Sequence, residues 1–110
     1  MSGLTTHVLD TMHGLPAAGV AVRLMREGQI LVSTVTNADG RTDAPLLQRE
    51  AFTLGIYEIV FEVGAYFRAQ GTTGLGFLDS VPVRFTLAEY GHYHVPLLVT
   101  PWSYATYRGS

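Results

Sequence analysis

The sequence predicts an all-β fold: an antiparallel sandwich of about seven or eight short strands with one short helix. Three observations predict it. Apolar and polar residues alternate with period two in run after run, most clearly in GIYEIVFEV at residues 55–63, as strands with one buried face require. Gly, Pro, Asn and Asp punctuate those runs at the spacing of a sandwich. No 20–50-residue repeat points to a solenoid or propeller instead.

In chain order, residues 4–10 (LTTHVLD) read as a first strand, with Thr5, His7 and Leu9 on one face. Gly14 and Pro16 make residues 12–18 a loop. Residues 20–26 alternate Val20, Val22 and Leu24 against Ala21, Arg23 and Met25; Glu27, Gly28 and Gln29 turn the chain into a returning strand at 30–36. Asn37-Ala38-Asp39-Gly40 is a strong turn that delivers Arg41 onto the next loop. Residues 46–53 are expected to hold a short edge strand. In residues 55–63, Tyr57, Ile59, Phe61 and Val63 should face the core. AYFRAQ at 65–70 reads as the helix, stopped by Gly71, and residues 71–76 as a flexible connection. VPVRFTL at 81–87 is a strand whose early Pro82 points to an edge or entry position. Residues 89–91 turn into a final pair of strands, the second at 103–107.

Composition excludes several chemistries. The 110 residues contain no cysteine and no lysine. Disulfide scaffolds, cysteine nucleophiles and lysine Schiff bases are therefore out. A net charge of -2 with seven scattered arginines gives no basic field for nucleic acid. No cationic leader and no run of about 20 apolar residues is visible, so the expectation is one soluble, cytoplasmic domain over residues 1–110 with no membrane partner. The charged fraction of 15% is low against about 25% in typical domains and hints at surface buried by oligomerisation.

The last nineteen residues, HYHVPLLVTPWSYATYRGS, concentrate the candidate chemistry. His92 and His94 share a strand face, and alternation alone does not choose between them. Two imidazoles near neutral pH can hold and pass protons, provided that His7 lies beside His94. Taken singly, a strand histidine is more often packing than chemistry, and an arginine after a turn, such as Arg41, is most often a solvated cation. Arg41 could instead clamp an anionic heterocycle or an oxyanion with its planar fork. Gly109 could permit a tight turn through positive φ, Arg108 could meet a carboxylate, and Tyr107 could wall a pocket. Zinc on three histidines is a weak alternative, because only H-x-H plus a remote His7 is present. No G-x-S-x-G elbow and no phosphate loop occurs.

LTTHVLDT, DGR, GIYEIVFEV, HYHVPLL and the terminal YRGS together resemble the transthyretin-related 5-hydroxyisourate hydrolases over residues 4–110. The resemblance implies an eight-stranded sandwich of two four-stranded sheets, with the first, penultimate and last strands in one sheet. It implies a homotetramer whose sites lie in a channel at the dimer–dimer interface. The implied activity is hydrolysis of the small molecule 5-hydroxyisourate to 2-oxo-4-hydroxy-4-carboxy-5-ureidoimidazoline in urate catabolism, with no cofactor and no metal. The family's catalytic set carries over as His7, Arg41, His94 and Ser110, with His7, Arg41, Tyr107 and Ser110 expected to bind substrate. Two other classes remain at this point: a transthyretin-like carrier of a small aromatic ligand, and a purely structural sandwich module with a loose tail.

Overall fold

The computed structural model describes residues 2–72 and 76–109. Its strands are β1 (Gly3–Asp10), β2 (Leu15–Pro16), β3 (Ala21–Arg26), β4 (Gln29–Val35), β5 (Leu47–Gln48), β6 (Gly55–Glu62), β7 (Ser80–Leu87), β8 (His92–Val99) and β9 (Tyr104–Thr106). One helix, α1 (Val63–Ala69), follows β6. One sheet runs β2-β1-β8-β9, with β5 also paired to β1; the other runs β4-β3-β6-β7. The expected eight strands in two sheets of four are all present. β2 is the ninth, a two-residue pairing inside the loop expected at 12–18.

Alternation builds the core as expected. Leu4 and Val8 of β1, Val22 and Leu24 of β3, Tyr57, Ile59 and Phe61 of β6, and Tyr93, Val95, Leu97 and Val99 of β8 are all buried. The inner faces of the two sheets interdigitate through these side chains, as in other aligned sandwiches. β7 lies at a sheet edge, where Pro82 costs no interior ladder bond. The helix starts two residues earlier than AYFRAQ suggested, because Val63, though buried as expected, already belongs to it.

One ladder departs from the antiparallel expectation. β1 and β8 pair in parallel over eight residue pairs, from Gly3↔His92 to Asp10↔Val99. Period-two patterns reveal which face a residue takes, not which distant strand it meets or in which direction. This ladder positions the site. It sets Thr5 opposite His94 and His7 opposite Pro96, on the sheet face turned away from the core.

Candidate active site

The outer face of β1 and β8 carries His7 and His94 side by side. Their ring centroids are 6.4 Å apart, with the planes tilted by 45°. His7 Nε2 donates to the Asp39 carbonyl at 2.8 Å. A carbonyl can only accept, so this contact puts a proton on Nε2 and leaves Nδ1 of a neutral ring as an acceptor. His94 Nδ1 is hydrogen-bonded to Thr5 Oγ1 at 2.8 Å. The His94 pKa lies below the ordinary histidine value, chiefly because the ring is partly buried and further because Arg41, His7 and His92 are close. A neutral imidazole at pH 7 follows, which is the state that a general base requires.

Arg41 arrives through a tightly specified turn. Asn37 Oδ1 accepts from the backbone N–H of Asp39 (2.9 Å) and Arg41 (3.2 Å), and Asn37 Nδ2 donates to Asp43 (3.0 Å). Val8 N–H donates to the Gly40 carbonyl at 2.7 Å, and the Arg41 backbone bridges to that of His7. Gly40 has φ +75°, and a Cβ there would sit 2.4 Å from the Val8 carbonyl oxygen. Only glycine fits that close approach. The Asp-Gly-Arg sequence is therefore a device for holding Arg41 beside the histidines. Among the described residues Arg41 has no ion-pair partner.

A cavity of about 440 Å³ opens here, lined by Thr5, Thr6, Arg41, Thr42, Asp43, Ala44, Pro45, His92 and His94. Threonines, histidines, Asp43 and the Arg41 cation share its wall with apolar surface of about equal extent. Among the described residues no group of His, Cys, Asp or Glu could hold a metal ion.

The segment from Tyr104 to Gly109 is joined to the sheet. β9 pairs antiparallel with β8, and the pairing resumes at His94↔Gly109. Gly109 N–H donates to the His94 carbonyl at 2.6 Å. The Arg108 guanidinium lies 4.1 Å over the Tyr93 ring, a cation–π contact, and donates to the His92 carbonyl at 3.3 Å. Ser110 lies outside the described residues.

The HIUase/Transthyretin family matches residues 4–109. The chain is similar to the 5-hydroxyisourate hydrolase of Mesorhizobium japonicum, at 56% identity over 113 residues, 97% of this chain and 91% of the relative. The chain belongs to the HIUase/transthyretin family. Among solved structures, it is similar to Klebsiella pneumoniae 5-hydroxyisourate hydrolase, with 40% identity, a TM-score of 0.88 and all of both chains covered. It is also similar to an (S)-allantoin synthase, with 46% identity, a TM-score of 0.93 and 98% of this chain covered, although it spans only 43% of that longer protein.

In this member of the HIUase/transthyretin family, His94 and Arg41 share a cavity, with His7 against the His94 ring. Tyr107 does not join them. It lines a neighbouring space of about 520 Å³ with His92, Arg108 and Gly109. His92 is exposed, yet it lines both spaces. Gly109 serves differently from the expectation. Its φ is not positive, and what glycine supplies is contact: a Cβ there would lie 3.0 Å from His94 Cδ2. Sequence reasoning missed Thr5 and the Asp39 carbonyl. The one available signal for Thr5 was its place on the same strand face as His7.

Proposed function

We propose that this chain is a 5-hydroxyisourate hydrolase, working without a cofactor as one domain in the breakdown of urate. The observation that carries the reading is the meeting of a neutral His94 and Arg41, which has no ion-pair partner among the described residues, at one cavity, with the His7 ring 6.4 Å from that of His94, in a chain 56% identical to a relative named for that reaction.

The chemistry follows from the groups. Water adds to a carbonyl of the six-membered ring, and the carbonyl oxygen takes up negative charge. The ring C–N bond then breaks. The carbon becomes the carboxylate of 2-oxo-4-hydroxy-4-carboxy-5-ureidoimidazoline, and the nitrogen leaves protonated as part of the ureido group. His94 accepts the water's proton and returns it to that nitrogen. Arg41 binds the anionic heterocycle and stabilises the developing oxyanion. His7, anchored by Asp39, orients the substrate with Nδ1 as acceptor. Tyr107 walls the adjoining space that His92 also lines, and Ser110 adds a hydroxyl.

In this reading the chain acts as a cytoplasmic homotetramer with its sites in a dimer–dimer channel. Support comes from the exposed Trp102, Tyr104 and Tyr107 along the β9 edge, since an apolar edge strand invites pairing. No helix of the described residues is long and apolar enough to cross a membrane. The deciding experiment supplies 5-hydroxyisourate, freshly made by urate oxidation, to the purified protein. Turnover beyond the spontaneous decay supports the hydrolase, and saturable binding without turnover would make the chain a carrier.

A further inference from the structure

We infer that Thr5 is a positioning residue for His94: its hydroxyl accepts the Nδ1 proton and so leaves Nε2 bare toward the cavity. The inference rests on the reading of His94 as the base. The parallel β1–β8 ladder puts Thr5 directly opposite His94. Both side chains face outward, and Oγ1 reaches Nδ1 at 2.8 Å. This is the one hydrogen bond His94's ring makes among the described residues. Threonine is stiff at χ1, so the hydroxyl is held against the ring rather than visiting it.

A neutral imidazole carries one proton, on either nitrogen. If Nδ1 were bare and accepted from Thr5, Nε2 would carry the proton and could not take one from water. The base role therefore requires Nδ1–H, with Thr5 as acceptor. When Nε2 gains a proton, Nδ1–H still donates to Thr5, and the contact survives the step without reorganisation. In hydrolytic triads a carboxylate holds the imidazole in this way. Here the holder is neutral. A carboxylate at position 5 would favour the imidazolium, whereas the groups that face His94 push the other way: Arg41 from the loop, His7 from β1 and His92 from β8. Asp43 is the acidic group on the cavity wall. A hydroxyl fixes the tautomer without cancelling that bias.

The test combines imidazole ¹⁵N spectra with kinetics on the intact chain. Wild type should show His94 with Nδ1 protonated and Nε2 bare. Thr5→Val keeps the shape and removes the acceptor. It should mix the two tautomers and lower kcat about tenfold, the upper end of a hydrogen bond's usual net contribution, with KM changed less than about twofold. Thr5→Ser should restore both signals, and Thr5→Asp should move the acidic limb of the pH–rate profile upward. A wild-type His94 protonated on Nε2, or a Thr5→Val protein with the wild-type tautomer and kcat, would overturn the inference. If wild type shows no turnover at all, the functional reading fails, while the spectra still decide the tautomer.

Discussion

Replacing Gly109 with alanine tests whether the docked tail positions the catalytic imidazole. The added Cβ would stand 3.0 Å from His94 Cδ2, 3.3 Å from its Cβ and 3.4 Å from its carbonyl oxygen. Carbon atoms in comfortable contact sit about 3.5–4.0 Å apart, so the ring contact is short by roughly 0.5 Å. The tail cannot simply slide away. Gly109 N–H is bonded to the His94 carbonyl at 2.6 Å, and Arg108 is stacked on Tyr93. Part of the displacement therefore falls on the His94 ring. A catalytic group misplaced by about 1 Å can cost about a hundredfold, which makes a shift of half that size cost roughly tenfold. Gly109→Ala should lower kcat by about that factor. Its unfolding midpoint should stay within a few degrees of wild type, because the change lies at the margin of the sheet and opens no cavity. The assay is 5-hydroxyisourate loss under saturation, with a thermal melt on the same sample. Wild-type kcat in a folded Gly109→Ala protein would show that the tail contact conveys no position to His94.

Three further outcomes follow. A chain ending at Thr106 should fold and associate, shown by circular dichroism and mass, yet lose most hydrolase activity; full activity in a folded, associated truncation would remove the terminal residues from the site. Activity should be constant above neutrality and fall on acidification with a midpoint below the ordinary histidine value, since burial and then Arg41, His7 and His92 depress the His94 pKa. The linked stability has the same sign: it is complete above the unfolded-state value of about 6.5 and declines as pH falls through that value toward the lower folded one. A rate that is flat from pH 5 to 8 would remove histidine from the base role. Asp10→Ala should destabilise by about 3 kcal/mol, as expected for breaking a buried charged network. The fully buried Asp10 carboxylate accepts from Met12 N–H, His13 N–H, His13 Nδ1 and Tyr66 Oη, tying β1 to α1. A denaturant midpoint equal to wild type would show that the contacts of Asp10 contribute nothing net.

The faces of the strands were legible because burial writes itself into period two. His7 outward, Val8 inward, and Tyr57, Ile59 and Phe61 inward all follow from alternation. The Asn37–Gly40 turn was legible because its residues are those that tolerate or make such turns. What alternation does not encode is partnership between distant strands. The parallel β1–β8 pairing joins residues 89 apart, as in Thr5 with His94, and with it the whole arrangement of imidazole, hydroxyl and cavity. The family resemblance supplied His7, Arg41 and His94 as a set, but not the Thr5 contact or the Asp39 carbonyl. The role of Gly109 was misread because glycine's two uses, positive φ and close approach, look identical in a sequence. Alternation likewise did not show that Tyr107, just past the strand ending at Thr106, lines an adjoining space together with His92.

The most direct measurement is the initial rate of 5-hydroxyisourate loss with wild-type and His94→Ala protein at equal concentration, each corrected for the spontaneous reaction. The hydrolase reading predicts a wild-type rate that rises in proportion to protein concentration. It predicts a His94→Ala rate at least about a hundredfold lower, the low end of what a positioned general base contributes, from protein that is folded and assembled as wild type is. A wild-type rate no faster than the blank, or a His94→Ala rate equal to wild type, would contradict it.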